Sequence, residues 1–410
     1  MLTADPSTLT FEGHARAVVR QVQGVFAELL TALDANPHDP QSISRRTGLN
    51  KNLAWKISKI IQTDDPAVAL EQMPGDAGIK IFLRCVEQAG APASVLEAAQ
   101  AAVGEYERLI RVHSGDRATL EIMGSELSSA GRQQRDEFHR KMLFQGASYV
   151  WGAQAGVILK VGLVGPGAEP GLLDFVSLSA LVDFRRFRAG VTWVMAVRRS
   201  TNDDGSAMPT SLWEPVDARY AGADCPPLMA DFCSQPLPEL RRFTDASGAN
   251  YELVEGPVGN TGTKTVVVGA IQRRIPYYRT PANEWGEHAA MCDTPAKLLI
   301  LDLYFHETLT FAIPPEPILY GNLGPAIRCA AHGRDRNRLP LHETLQDLGQ
   351  GALPVATPEV RRYKDMVWTL FERVGWRPGQ FRGFRMKIAY PAIPTALVLR
   401  YPLPAAPQDA

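Results

Sequence analysis

The feature that most restricts the fold is a change in the spacing of apolar residues near position 145. Before it they recur every three or four residues, the spacing of helices that bury one face. Beyond it they come in β-branched and aromatic runs bounded by turn residues: ASYVWGAQAGVILKVGLVG (147–165), GVTWVMAVRRS (190–200), TKTVVVGAIQRRI (263–275), KLLILDLYFHETL (297–309) and FRMKIAYPAIPTALVLRYPLP (384–404). The expected fold is α+β: an all-α helix-turn-helix N-terminal domain over 11–115, a linking helix over 116–144, and a larger β-rich (α+β) domain over 145–405. With 410 residues, more than one domain is expected.

In the first third, 11–35 reads as a helix with Val18, Val19, Val22, Val25, Phe26, Leu29, Leu30 and Leu33 on one stripe, stopped by Asn36-Pro37. Two further helices are predicted over 76–90 and 93–113. The linking helix carries a charged second half, read as a solvated face, and a break near Gly131. Residues 66–75, PAVALEQMPG, read as irregular after the break at Thr63-Asp64-Asp65-Pro66. Within the β-rich part, helices are predicted at 177–186, 236–242 and 358–374. Gly162, Gly165, Gly167 and Gly171 read as a glycine-rich loop between strands, because their order does not match a dinucleotide fingerprint.

Between these helices lies 39–61, DPQSISRRTGLNKNLAWKISKII. Asp39 can cap a short helix with Pro40 in its first turn. Gly48 can take the positive φ of a tight exit, and Asn50 can cap a second helix. In that second helix Leu53, Ile57, Ile60 and Ile61 share one face, and Lys51, Asn52, Trp55, Lys56 and Lys59 the other. Between residues 40 and 63 there are five basic residues and no acidic one, while the whole chain carries 43 basic and 44 acidic residues. RRTGLNKNLAWKI (45–57) resembles the recognition segment of IclR-like and related winged-helix bacterial regulators, with glycine, the apolar residue after it and Ile57 at matching offsets. The resemblance covers residues 39–61 only. It implies that Arg45, Arg46, Lys51, Lys56 and Lys59 meet phosphates, that Asn52 or a lysine reaches base edges, and that Trp55 lies on the same DNA-facing side. The implied partner is double-stranded DNA, bound as a homodimer or higher homo-oligomer, with a small-molecule effector for the C-terminal domain.

HETL occurs at 306–309 and 342–345, but residues 310 and 346 are Thr and Gln, so neither completes a zinc-binding HExxH. There is no P-loop and no GxSxG elbow, and no catalytic residue, cofactor or metal is expected. His306 reads as the end of a strand, and Asp302 as a carboxylate that must be exposed or paired. The segment 328–343 holds Arg328, His332, Arg334, Arg336 and Arg338, a possible anion-binding set that a solvated loop explains equally well. A net charge of −1 argues against a nucleic-acid coat or a polybasic membrane binder. No apolar run approaches the ~18 residues of a membrane span, and no secretory leader is visible. The five cysteines form no CxxC pair and suit free thiols in a cytoplasm. A transcription regulator, an assembly protein with a helical interaction module, and an enzyme with a site in the C-terminal domain all remain open.

Overall fold

The structure is a computed structural model that describes residues 10–127, 132–197, 213–222, 225–245, 248–281, 283–321, 335–351 and 357–406. The chain divides into two compact units, Met1–Arg135 and Asp136–Ala410. An α-helical head precedes a large multi-sheet region, so the chain is α+β.

In the first unit α1 (Phe11–Ala32) starts at Thr10, whose side chain accepts from the Gly13 amide. Its stripe Val18, Val19, Val22, Phe26, Leu29 and Leu30 is buried. Around it lie α2 (Pro40–Thr47), α3 (Lys51–Gln62), α4 (Pro66–Gln72), α5 (Asp76–Gln88), α6 (Ala93–Leu109) and α7 (Arg117–Ser125). These helices share one core that includes Ile43, Leu53, Ile57, Leu70, Phe82, Val103 and Leu120. Phe26 and Phe82 meet with ring centroids 4.7 Å apart. The segment read as irregular after Thr63 is α4: Asp65 accepts from the Ala67 amide and Pro66 occupies the first turn, the same start that Asp39 and Pro40 give α2.

The linking helix expected over 116–144 is two helices, α7 and α8 (Arg132–Trp151). α8 runs on through SYVW, which composition assigned to a strand, until Gly152 takes φ 71° and its amide closes on the Ser148 carbonyl.

The second unit is built on a seven-stranded sheet in the order β12-β13-β9-β1-β2-β7-β4. Its strands are β1 (Ala153–Pro166), β2 (Leu172–Arg186), β4 (Trp213–Pro215), β7 (Lys264–Pro276), β9 (Ala296–His306), β12 (Gln346–Gln350) and β13 (Phe381–Ala389). β1 and β9 are parallel; the other pairs are antiparallel. A four-stranded sheet follows the order β11-β10-β14-β8, with β8 (Trp285–Cys292), β10 (Glu316–Gly321), β11 (Arg338–Leu339) and β14 (Thr395–Pro402). A three-stranded sheet joins β3 (Trp193–Val197), β6 (Gly248–Leu253) and β5 (Leu240–Asp245).

The central sheet is covered on both faces, which explains its unbroken apolar runs. Val157, Leu159, Val161 and Leu163 pack with Val367, Leu370 and Phe371 of α9 (Tyr363–Val374). On the other face Ile158, Leu299, Leu301 and Phe384 pack with Ala290, Leu397, Leu399 and Tyr401 of the four-stranded sheet. The helix predicted at 177–186 is therefore part of β2, paired with β1 from Leu173 to Arg186. The helix predicted at 236–242 is irregular chain entering β5, which pairs with β6. Gly162 and Gly165 belong to β1, not to a loop. A Cβ on Gly162 would strike Leu303 and Phe175, and one on Gly165 would strike Trp376.

Asp302 on β9 is fully buried and paired with Arg385 of β13 through two hydrogen bonds, 2.8 and 2.6 Å. The Tyr363 hydroxyl donates to the same carboxylate, and the Tyr304 hydroxyl lies 3.2 Å from the Tyr363 hydroxyl. Burial pushes the Asp302 carboxyl up, while the guanidinium and the tyrosine hydroxyl pull it back. Two parallel N–H···O bonds are the geometry of an ionised pair. Four of the five cysteines, Cys85, Cys225, Cys233 and Cys292, are free thiols, and Cys329 lies outside the described residues. Among the described residues no helix is long and apolar enough to cross a membrane.

Two stability changes follow. Ile57→Ala, at a fully buried position, should cost about 2–5 kcal/mol in denaturant unfolding. Asp302→Asn strands a buried guanidinium and should cost about 3–5 kcal/mol, and adding Arg385→Met should recover part of that loss. A loss under about 1 kcal/mol in either single variant contradicts the burial described.

Candidate nucleic-acid interface

α2 and α3 are two short helices joined by a tight turn at Gly48–Asn50. Asp39 caps α2 by accepting from the Gln41 amide at 2.9 Å. Gly48 leaves α2 at φ 71°, and its amide closes on the Ser44 carbonyl. The Ser44 hydroxyl donates to the Leu49 carbonyl at 2.6 Å, which fixes the turn. Asn50 then caps α3 through the Leu53 amide at 2.9 Å.

The far end of α3 is tied down by residues with no signature in the local pattern. The Gln23 side chain of α1 donates to the carbonyls of Ile60 and Thr63 at 2.8 and 2.7 Å. The Gln62 amide donates to the His38 carbonyl at 2.8 Å, linking α3 to the entry of α2. The last carbonyls of a helix have no partner within it, so Gln23 both satisfies them and sets the angle of α3. Contacts across 37 and 40 residues leave no trace in a periodicity reading.

One side of α3 is inside: Leu53, Ala54, Ile57, Ser58 and Ile60 are buried. The other is open. Lys51, Asn52 and Lys59 are exposed, Lys56 is half-buried, and Trp55 keeps 50 % of its surface exposed. Arg45 and Arg46 are exposed at the end of α2. Arg45 bonds the Gln41 carbonyl and lies 4.0 Å from Asp39, a weak surface pair. Among the described residues no ion pair engages Arg46, Lys51, Lys56 or Lys59. The chain thus presents cations, an amide and an indole on the open side of this pair of helices. The residues that follow α3 form α4, α5 and α6, and no strand lies between residues 10 and 127, so the motif carries no β-hairpin wing.

The arginine-rich segment behaves differently. Arg328, His332 and Arg334 lie outside the described residues. Arg338 pairs with Asp335 at 3.1 Å and Glu316 at 3.2 Å, and Arg336 precedes it in a short 3₁₀ turn. His342 meets Asp136 at 2.8 Å and Glu343 meets Arg140 at 2.6 Å. The described half of this segment therefore ties the second unit together. A cleft of about 520 Å³ in the same unit is lined by Asp217, Arg219, Asp231, Phe232, Arg362 and Trp368. Its cations are already paired, Arg219 with Asp217 and Asp231, and Arg362 with Asp365. Among the described residues no group of three His, Cys, Asp or Glu side chains is placed to hold a metal. Asp231 and Cys233 lie near one another, whereas His288 and Cys292 belong to β8.

Compared with known protein families, curated proteins and solved structures, the chain matches none.

Gly48 offers a direct check on the turn. A Cβ there would touch nothing, so the cost of Gly48→Ala comes only from the left-handed backbone and should be about 1–2 kcal/mol. Asn tolerates that conformation better, and Gly48→Asn should lose measurably less in thermal unfolding.

Proposed function

We propose that this protein is a DNA-binding transcriptional regulator of the cytoplasm whose reader is residues 39–61. The observation that carries the reading is the two-sided α3. Its apolar side is locked into the core by Leu53, Ile57 and Ile60, and its open side presents Lys51, Asn52, Trp55 and Lys59. A helix of 12 residues is about 18 Å long and fits the major groove. In this reading Arg45, Arg46, Lys51, Lys56 and Lys59 contact phosphates, Asn52 reads an adenine, and Trp55 packs on a sugar or a thymine methyl.

One such helix covers too little DNA for useful specificity, so the active species is a homodimer or a higher homo-oligomer. An apolar stripe supports this. Phe138, Met142 and Tyr149 follow a helical spacing on α8 and are 60, 56 and 83 % exposed. In this reading the second unit holds the oligomer and senses a small-molecule effector.

A second reading keeps the same surfaces and changes the partner: the exposed Trp55 and the α8 stripe suit an assembly protein whose helical head docks on another protein.

Salt dependence separates the two. In duplex titrations of the full chain, removing a phosphate-binding lysine releases fewer counterions. Lys51→Ala, Lys56→Ala and Lys59→Ala should each lower the slope of log K against log salt by about 0.9. Asn52→Ala should leave that slope almost unchanged and lose ~1–3 kcal/mol of preference at one base pair. Unchanged duplex affinity in all four variants would hand the surface to the protein-docking reading. Replacing Phe138, Met142 and Tyr149 together by serine should lower the mass seen in sedimentation; no change in mass would leave the stripe without that role.

A further inference from the structure

Inside the second unit, between the seven-stranded and four-stranded sheets, sits a lysine with no counter-ion. Lys160 interrupts the apolar run of β1, in VILKVGLV. It stands opposite Ser179 of β2 in the antiparallel register and opposite Leu301 of β9 in the parallel one. Its side chain belongs to the face shared by Ile158 and Val164, which pack toward the four-stranded sheet. The ammonium bonds the Ser179 hydroxyl at 2.8 Å, and no carboxylate among the described residues pairs with it. Lys160, Ser179 and His288 are half-buried.

Rings complete the surroundings. The Phe175 ring lies over Gly162, the next position of β1 on the same face, where any side chain would displace it. His288 of β8 tilts against Phe175 with ring centroids 4.5 Å apart, and its Nε2 lies 3.1 Å from the Tyr401 hydroxyl of β14. His288 lies close enough to feel the Lys160 charge, and Tyr401 stands behind it as its hydrogen-bond partner. β2 and β9 supply serine and apolar residues. Burial, and then the Lys160 charge, push His288 down to about 3, and burial raises Tyr401, so both stay neutral near pH 7. An ammonium held among apolar strands with nothing negative beside it is unfavourable until an anion joins it.

We propose that this interior is a binding site for a small organic carboxylate, its anionic end on the Lys160 ammonium and the Ser179 hydroxyl and its apolar body against Phe175 and His288. The chemistry is that of a pocket with a few convergent polar groups in an apolar lining. Burial supports the assignment by lowering Lys160 to about 8, so the site is cationic at neutral pH and loses its charge just above it. The proposal stands apart from DNA binding, since every residue in it lies in the second unit.

The test uses the full chain titrated with acetate, hexanoate and benzoate, each beside its neutral amide. Binding is followed by saturation-transfer NMR and by the shift in melting temperature. At least one carboxylate should bind at pH 7 where its amide does not. Its affinity should fall above pH 8, approaching tenfold per unit, as the lysine loses its proton while the ligand stays ionised. Lys160→Met keeps the apolar stem and should weaken that carboxylate at least tenfold; Ser179→Ala should weaken it less. Failure of all three carboxylates, equal binding of acid and amide, or equal binding to Lys160→Met overturns the site. If Lys160→Met does not fold, the acid–amide contrast and the pH profile of the unaltered protein decide alone.

Discussion

The second unit depends on how one buried carboxylate is satisfied. Asp302 lies on β9, at the centre of the main sheet, and two other elements reach it: Arg385 from β13 and Tyr363 from α9. The pair sets the register of β13 against β9, because a slip of one residue would turn Arg385 to the opposite face. The tyrosine fixes α9 over the same strands, and the Arg385 guanidinium lies 5.1 Å from its ring centroid. Removing either charge leaves the other stranded, so the network is more valuable as a specifier of arrangement than as a source of net stability.

The central strand pair holds a half-buried charge and a fully buried one at adjacent register positions. Lys160 pairs in register with Leu301, and Val161 with Asp302. Alternation sends them to opposite faces of the sheet. On the helix-covered face the charge is fully met by its neighbours. On the face toward the second sheet it is met by one hydroxyl. That contrast, within one pair of strands and one kind of environment, separates a structural charge from one that awaits a partner.

Much of the first unit was legible because its signals are local. The caps Asp39 and Asn50, the glycine at 48 and the buried side of α3 follow from residues within four positions of one another. α4 is harder to read, because Asp65-Pro66 repeats the Asp39-Pro40 start yet directly follows α3, where the same residues also serve as a helix break. In the second unit the errors share a cause. In VSLSALVDFR, apolar residues fall at both helical and strand spacings when both faces are buried, and pairing with β1 decides the outcome. The groups of most chemical interest were partly visible. The sequence leaves Asp302 either exposed or paired, and the residue that decides it, Arg385, lies 83 residues away. Lys160 passes unremarked inside the apolar run of β1, and only the pairing with β2 and the packing of β8 give it surroundings.

The parallel pairing of β1 with β9 also orders events during synthesis. β1 ends at Pro166 and β9 begins at Ala296, so the middle of the main sheet must wait while the intervening chain emerges. In that interval β1 and β2 can close as a hairpin, with apolar residues on both faces and the edge meant for β9 unpaired. The helical head, whose core draws only on residues before 128, has no such wait. The nascent chain is thus a finished head followed by an exposed, adhesive hairpin, and its vulnerability to aggregation is concentrated in the stretch of translation before residue 306 leaves the ribosome.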